Sequence, residues 1–387
     1  MSSVVLLGAW SPPLLAVARS CHRQNLSVYL LEVGARRCRW RLYSSALAGG
    51  AAIRGEDIGT PRGVETVRAY ADAVGAGALV AMDDTRLVWL AQNRGALGAR
   101  CRLLAPPAET LDLVSSKCNQ IAVAREVGFD VLPTVYLPAA SRRQGLPEMQ
   151  YPLVVRPDRK TGPRSPFKVR LLYSPAELAA LVAAWDGTGA PLIAQSFLSL
   201  PNLVVHGARG ESGDILSMQA FLVPRKFEGI TLTLQAVGFP PNVERRCRDF
   251  VDAMGITGCF HFEFLVSPEG DRVWFLEINA RLGGTTDKVT RLGFDETAYL
   301  LGAYGISPPP RGGSPLSARL AGDRRALVKH LVRALCGSLT PLDHPPGSRL
   351  HRAALSFRDL WTVADSVLDR RDLRGSLWWS PRGAAGP

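Results

Sequence analysis

Hydrophobic positions recur with two different periods along this chain, and the order of these periods predicts its architecture. In the first part, short apolar runs at residues 4–7, 28–31 and 78–81 alternate with a helical pattern at residues 14–21. Apolar runs separated by helices are typical of βαβ units, in which crossover helices make neighbouring strands parallel. We therefore predict that residues 1–105 form an α/β domain with a parallel sheet.

Strand patterns dominate the middle of the chain, and a few helices separate them. Helices are predicted at residues 112–127, 175–185 and 243–254. The first and the last of these are followed by Gly128 and Gly255, as is common where a helix ends. Strands are predicted at residues 133–137, 152–157, 168–173, 191–197, 203–207, 215–223 and 230–237.

The character of the sequence changes after Ile306. Three consecutive prolines at residues 308–310, with a pair of glycines soon after, are typical of a boundary between structural units. Beyond them, helices are predicted around residues 324–335 and 357–368, so that residues 307–387 form a partly helical tail. Its end is rich in Gly, Pro and Arg, and we expect it to be disordered.

A β-hairpin with two acids on one face is the most informative segment. Two stretches that alternate with a period of two flank a turn at Gly270. A hairpin centred on this turn places Glu263 opposite Glu277 and His261 opposite Asn279.

Two carboxylates that face each other repel, so such a pair needs a raised pKa, a basic neighbour or a shared divalent cation. Glu263, Glu277 and the amide oxygen of Asn279 offer the oxygen ligands that Mg²⁺ prefers, and Mg²⁺ commonly leaves positions for waters and substrate phosphates. The alternative is that both glutamates lie on a solvated face of the sheet.

Composition narrows the class of protein. Apolar residues make up 47% of the 387 residues, but no apolar run approaches the roughly 18 to 20 residues of a membrane-spanning helix, so a soluble protein without a membrane partner is expected. The seven cysteines are scattered singly, which indicates neither a disulfide framework nor a zinc site and favours the cytoplasm. A net charge of +12 makes nucleic-acid binding an alternative. The arginines are spread along the chain, however, and an anionic nucleotide or acidic substrate accounts for part of this charge.

The sequence Phe275-Leu-Glu-Ile-Asn-Ala-Arg281, followed by Leu-Gly-Gly, resembles the C-terminal signature of the ATP-grasp ligases. The resemblance implies an α/β fold of the α+β grasp type, with an ATP-grasp domain over residues 106–306. Its small lobe would span about residues 130–195 and its large lobe about residues 196–306. The α/β segment before it would be the preATP-grasp domain.

The same resemblance implies a set of ligands. In that family, an acidic strand residue and a Glu-x-Asn on the next strand hold magnesium on the ATP phosphates, and a following arginine binds phosphate or substrate. Glu263, Glu277, Asn279 and Arg281 occupy these positions here. ATP and Mg²⁺ are therefore the implied cofactors, with Mn²⁺ as an alternative metal.

Other residues match the family's nucleotide site. Lys117 and Arg156 match its phosphate-binding cations, and Gly162 matches the close approach of the backbone to phosphate. The residues that match the adenine-binding hinge and a ribose contact are Gln195, Ser196, Phe197, Leu198 and Asn202. Those that match basic contacts to the terminal phosphate are Arg225 and Lys226. Taken singly, Lys117 is more often a solvated helix lysine, and Arg225 with Lys226 is equally well explained as surface charge.

Three features depart from the family pattern. Arg156 stands where a lysine is usual, Ser196 stands where an acid is common, and the loop that contains Gly162 has a single glycine. Arginine keeps the charge and adds a planar fork, but it does not replace a compact ammonium in every role.

These observations favour an ATP-dependent ligase that joins a small-molecule carboxylate to an amine or a thiol through an acyl phosphate. Such a reaction needs charge neutralisation and positioning more than a protein nucleophile. One alternative is a non-catalytic ATP-binding module, which Arg156 and Ser196 favour, and another is a basic nucleic-acid-binding protein. The sequence leaves the substrates and the oligomeric state open, a homodimer included.

Overall fold

The residues that the structure describes form three β-sheets and the helices that cover them. A computed structural model describes residues 3–137, 148–159, 167–185, 190–310, 316–337 and 339–377. The predicted phosphate contact Gly162 and most of the C-terminal segment expected to be disordered lie outside these described residues.

The first sheet, called the N-terminal sheet here, has five parallel strands in the order β3-β2-β1-β4-β5. These strands are β1 (Ser3–Gly8), β2 (Ser27–Val33), β3 (Leu47–Ile53), β4 (Ala76–Ala81) and β5 (Arg102–Leu103). The helices around it are α1 (Pro12–Arg23), α2 (Trp40–Tyr43), α3 (Pro61–Ala73), α4 (Asp84–Gln92) and α5 (Arg94–Leu97). The predicted parallel sheet is confirmed. The direction of strand addition reverses between β1 and β4, where open α/β sheets form a crevice at their carboxyl edge.

The second sheet, the small sheet, is antiparallel with the order β7-β10-β8-β9. Its strands are β7 (Thr134–Leu137), β8 (Leu153–Pro157), β9 (Arg170–Leu172) and β10 (Leu192–Ser196). Helix α8 (Pro175–Trp185) begins after Ser174, whose hydroxyl accepts a hydrogen bond from the Glu177 amide. Trp185 and Leu178 of this helix pack with Leu153 in a hydrophobic core that belongs to the small sheet alone.

The third sheet, the large sheet, has eight strands in the order β17-β16-β13-β12-β11-β14-β15-β6. Its longer strands are β11 (Asn202–Arg209), β12 (Ile215–Phe227), β13 (Ile230–Val237), β14 (Gly258–Val266) and β15 (Val273–Asn279). Its short strands are β6 (Asp130–Val131), β16 (Ala321–Gly322) and β17 (Ala364–Asp365). Neighbours are antiparallel, except that β6 runs parallel to β15 and β17 runs parallel to β16.

The remaining helices connect or cover the sheets. They are α6 (Ala108–Ser115), α7 (Lys117–Glu126), α9 (Val243–Ala253), α10 (Thr286–Leu292), α11 (Glu296–Ala303), α12 (Arg324–Cys336), α13 (Arg349–Thr362) and α14 (Leu373–Leu377). In the described parts of the chain, no helix combines the length and the apolarity that crossing a bilayer requires.

The aromatic face of the β14–β15 hairpin joins the large sheet to the N-terminal sheet. Phe262, Phe264 and Phe275 are fully buried in the same hydrophobic cluster as Val5 and Leu79. Aromatic side chains of this size bury much apolar surface, so the two sheets share one core. The opposite face of the hairpin is thereby left for its polar residues.

The predicted register of the hairpin is confirmed. Glu263 pairs with Glu277 and His261 pairs with Asn279 across β14 and β15. The register shifts by one residue just beyond this point, which leaves Leu276 as an additional residue in β15. Such a bulge interrupts the ladder and turns a backbone group away from its regular partner.

The single helix predicted over residues 112–127 is wrong, because Ser116 divides it into α6 and α7. Ser116 has an extended backbone, and its hydroxyl caps the second helix. The carbonyl of Asp158, just after β8, accepts a hydrogen bond from the Lys117 amide at 3.2 Å. Lys117 consequently stands at the first turn of α7 instead of in the middle of a longer helix.

The tail also differs from its prediction. Helix α12 lies where a helix was predicted, but the helix predicted over residues 357–368 is misplaced, because α13 begins after the capping residue Ser348 and ends before Val363. Strand β17 follows it, so the tail adds two short strands to the large sheet. A buried ion pair of 3.0 Å between Arg225 Nε of β12 and Asp359 Oδ2 of α13 reinforces this attachment.

We predict that replacing Asp359 with alanine will destabilise the fold strongly. Burial lowers the pKa of Arg225, and the variant would leave that guanidinium buried without its partner carboxylate. Breaking a buried pair in this way costs about 3–5 kcal/mol of unfolding free energy, which urea titration measures. The control is Asp249→Ala, which removes an exposed pair with Arg245 and should cost less than about 1 kcal/mol. Equal losses in the two variants would contradict the prediction.

Candidate active site

The carboxylate of Glu277 is the centre of a charged cluster on the polar face of the hairpin. Its Oε2 atom accepts hydrogen bonds from Lys117 Nζ at 2.8 Å and from Arg156 Nη1 at 3.0 Å. Its Oε1 atom accepts one from the amide nitrogen of Asn279 at 3.1 Å. A raised pKa, a basic neighbour or a shared cation can each stabilise two opposed carboxylates. The structure shows basic neighbours at Glu277.

Arg156 uses the fork of its guanidinium in a way that a lysine cannot reproduce. Besides Glu277, it donates from Nη2 to Gln195 Oε1 at 2.8 Å and to the carbonyl of Leu276 at 3.0 Å. That carbonyl belongs to the bulge residue of β15. The amide nitrogen of Gln195 in turn donates to Thr134 Oγ1 at 2.9 Å. The departure from the family's lysine is thus accompanied by a matching set of planar acceptors.

Glu263 and Asn279 complete the predicted metal ligands. Glu263 is about one-third exposed, its Oε1 lies 4.0 Å from His261 Nε2, and it faces Glu277 across the hairpin. Within the described residues, no group of three or more His, Cys, Asp or Glu side chains is placed to hold a metal by itself. Two carboxylates and one amide oxygen form an oxygen-only set, and this chemistry fits a Mg²⁺ ion that takes its remaining ligands from phosphates and water.

Arg281 connects this cluster to the N-terminal sheet. Its Nε and Nη2 atoms donate to the two carboxylate oxygens of Asp84 at 2.7 and 2.9 Å. Burial alone would lower the pKa of Arg281, but the Asp84 carboxylate outweighs it and the pKa is raised. Asp83, its neighbour, caps α4 instead, accepting a hydrogen bond from the Arg86 amide. The sequence contains both acids, but only the fold shows that they have different partners.

Lys226 and Asn202 lie together, and Arg225 does not join them. Lys226 Nζ donates to Asn202 Oδ1 at 2.8 Å and to the carbonyl of Leu200 at 3.0 Å. Burial lowers the pKa of Lys226 to about 8, although the Glu263 carboxylate opposes the shift. Arg225 instead forms its ion pair with the tail, so the structure brings only one of these two cations towards the hairpin.

The segment predicted to hold adenine begins within the end of β10 and leads from the small sheet towards β11 of the large sheet. The Ser196 amide donates to the Pro133 carbonyl at 3.1 Å and the Phe197 amide to the Pro152 carbonyl at 3.0 Å. These two donors are therefore used within the small sheet, whereas Leu198 is exposed. If this segment binds a base, backbone recognition would have to use other groups than these two amides.

Sequence reasoning missed several polar residues around the cluster, including His206, Glu296 and the role of Asp84. Asp158 is another, since its Oδ1 accepts from Ser116 Oγ at 3.2 Å and from the Cys118 amide at 2.8 Å. Signals existed for His261, which lies two residues before Glu263 and so shares its face of the strand, and for Asp84, which directly follows a predicted strand of the parallel sheet. The others come from segments whose proximity depends on the fold.

No protein-family model matches the chain, and no curated protein matches it either. Several solved structures, however, match it in fold. The L-amino acid ligase from Bacillus licheniformis is 15% identical, with a TM-score of 0.64 over 83% of this chain and 80% of that chain. An N5-carboxyaminoimidazole ribonucleotide synthetase in its ADP complex is 11% identical, with a TM-score of 0.65 over 93% of this chain and 97% of that chain. Biotin carboxylase from Campylobacter jejuni is 14% identical, with a TM-score of 0.62 over 82% and 74%.

These neighbours are ATP-grasp enzymes, and the likeness shows that this chain has the ATP-grasp fold. The fold class expected from the hairpin motif is thereby confirmed. At identities of 11–17%, the likeness concerns the fold, and the roles of individual residues stay predictions.

We predict that Lys226 makes the stability of the protein rise with pH. Its pKa is about 8 in the folded state and about 10.5 when unfolded, so both states bind the proton below about pH 8. Between these values the unfolded state binds more protons, and the unfolding free energy increases with pH. Urea titrations across this range should show a smaller rise in Lys226→Met than in the wild type. The control Lys329→Met removes an exposed lysine and should keep the full rise; equal slopes in all three proteins would contradict the prediction.

Proposed function

We propose that the protein is an ATP-dependent ligase that joins a small-molecule carboxylate to an amine or a thiol. The observation that carries the proposal is the Glu277 cluster, in which Lys117 and Arg156 converge on the acid from separate elements. A polyanion that enters this place meets cations already held near one another. The fold neighbours support a ligase, since one of them is an L-amino acid ligase.

The nucleotide would lie between the small and the large sheet. The segment Gln195 to Leu198 would border the base, Asn202 the ribose, and Lys117 with Arg156 the phosphates. Lys226, close to Asn202, would provide a further positive charge. Since each cation already contacts a protein acceptor, binding exchanges one partner for another and does not expose a bare charge.

Magnesium would be held by Glu263, Glu277 and the amide oxygen of Asn279, where it would neutralise phosphate charge. Fold neighbours crystallised with ADP and with MgADP support this assignment. Arg281 would bind the reacting phosphate or the acid substrate from the side of the N-terminal sheet. Its pairing with Asp84 keeps the guanidinium oriented and next to the carboxyl edge of β4.

The carboxylate and the amine or thiol would bind in the crevice at the carboxyl ends of β1 and β4, beside Asp84. Ligands of open α/β sheets gather at this kind of position. All seven cysteines are free thiols, a state that suits the cytoplasm, which we propose as the compartment.

A second candidate function is nucleotide binding without turnover. The observation that favours it is Arg156, which makes three contacts at once and is held more firmly than a mobile lysine would be. Tight ATP binding without ADP release, whatever acid and amine are supplied, would support this candidate.

We predict that Glu277→Gln will slow ADP release strongly. The amide keeps the size of the side chain but removes the charge that Lys117, Arg156 and a metal ion require. Loss of one such electrostatic contact lowers kcat by about 10² to 10³. The assay is ADP release across a panel of carboxylic acids, amino acids and amines, with and without magnesium.

The matched control is Glu269→Gln, an exposed acid in the turn of the same hairpin, which should retain wild-type turnover. Turnover by the Glu277 variant at the wild-type rate would refute the assignment of this cluster. Salt-sensitive retention of oligonucleotides on a filter, without ADP release, would favour a nucleic-acid-binding protein instead.

A further inference from the structure

Two stacked histidines lie on the same face of the large sheet as the acids of the hairpin. His206 of β11 and His261 of β14 pair across the sheet, and their ring centroids are 5.3 Å apart with an interplanar angle of 15°. His206 is fully buried and His261 is 5% exposed. Buried imidazoles of this kind need defined hydrogen-bond partners, and these partners determine which ring nitrogen carries the proton.

Asn279 determines the proton position in His261. Its Nδ2 atom lies 3.2 Å from His261 Nε2 and 3.1 Å from Glu277 Oε1. An amide nitrogen has two protons to donate and no lone pair to offer, so both neighbours must accept. His261 is therefore neutral at Nε2 and carries its proton on Nδ1, which lies 3.3 Å from the carbonyl of Arg281. That carbonyl can only accept, which agrees with the same tautomer.

The opposite orientation of the Asn279 amide is unfavourable. It would place the amide oxygen 3.1 Å from a carboxylate oxygen of Glu277, and two acceptors at that distance repel. Glu277 and His261 together therefore keep the Nδ2 atom of Asn279 directed towards themselves. The amide oxygen is consequently turned away from both of them.

A buried network holds the two rings in place. His206 Nδ1 lies 2.9 Å from Glu296 Oε1, and His206 Nε2 lies 3.0 Å from Thr285 Oγ1. Thr286 Oγ1 donates to the other oxygen of Glu296 at 2.6 Å.

The loop after Arg281 packs on the same rings. A Cβ atom at Gly283 would lie 3.1 Å from the His261 ring and 3.3 Å from the His206 ring, so a side chain here would require the rings to shift by a few tenths of an ångström. The imidazole of His261 thus has little freedom to turn, because the stack, the loop and the Arg281 carbonyl enclose it.

We propose that His261 is a positioning residue: as the Nδ1–H tautomer it accepts from Asn279 and keeps the Asn279 amide oxygen directed towards the nucleotide-bound cation. The consequence for the cation rests on the proposed function, whereas the tautomer and the orientation of the amide do not. Partners of this kind, one step removed from a metal, commonly change metal affinity by about 10- to 100-fold when they are replaced.

The first test addresses the tautomer in the full-length wild-type protein. Long-range ¹H–¹⁵N correlation NMR of ¹⁵N-histidine-labelled protein should show His261 with a protonated Nδ1 and an unprotonated Nε2. The signal is assigned by its disappearance in His261→Gln. A protonated Nε2 would overturn the proposal, because that nitrogen could not accept from Asn279. No ligand is needed for this measurement.

The second test measures Mn²⁺ binding in the presence of ADP by electron paramagnetic resonance. His261→Phe keeps a planar ring against His206 but has no acceptor, so Mn²⁺ affinity should fall about 10- to 100-fold. Affinity for ADP without metal should not change. His261→Gln, whose amide oxygen can accept from Asn279, should recover most of the loss. The exposed His351→Phe is the matched control and should bind as the wild type does.

The outcomes separate this proposal from the proposed function. One outcome is that the wild type binds Mn²⁺ with ADP, that Asn279→Ala loses this binding and that His261→Phe retains it. This outcome overturns positioning by His261, while the proposed function stands. If the wild type binds no Mn²⁺ with ADP, the proposed function fails and the effect on the cation fails with it. Thermal unfolding of each variant is measured first, and the tautomer measurement on the wild type stays decisive should the phenylalanine variant not fold.

Discussion

A mostly buried carboxylate at Glu277 is the constraint on which the arrangement of this site depends. Such a charge is unfavourable away from water unless cations and hydrogen-bond donors surround it. Lys117 at the start of α7, Arg156 on the small sheet and Asn279 on the same strand supply them. One side chain thereby joins segments that are distant in sequence, and the ligands of the proposed nucleotide are drawn from these same segments.

The three sheets contribute to this centre in different ways. The N-terminal and large sheets share a hydrophobic core through Phe262, Phe264 and Phe275, and the pairing of Arg281 with Asp84 adds an ionic link between them. The small sheet has its own core and reaches the site mainly through Arg156 and the segment after β10. Two sheets with a common core and a separately packed third one leave a junction between them, and this is where the proposed nucleotide would lie.

The structural features that were predicted correctly are those that depend on patterns local in the sequence. The register of the hairpin followed from its period of two and from its turn, so Glu263 and Glu277 were placed opposite each other correctly. The helix before the small sheet was predicted as continuous because Ser116 is compatible with a helix; its extended conformation depends on contacts with Asp158. Arg225 and Lys226 are adjacent in the chain, yet they point to different partners, and this difference was not visible in the sequence.

By itself, the sequence determined the parallel N-terminal sheet, the hairpin and its register, and, through resemblance, the ATP-grasp fold. These depend on hydrophobic period, turn residues and a contiguous motif, all of which act over short stretches of chain. Only the tertiary structure decided that Lys117 and Arg156 converge on Glu277, that Asp84 pairs with Arg281, and that His206 stacks on His261. The physical reason is that a buried charge or imidazole is satisfied by whichever groups the packed sheets bring within hydrogen-bond distance, however far apart those groups are in the chain.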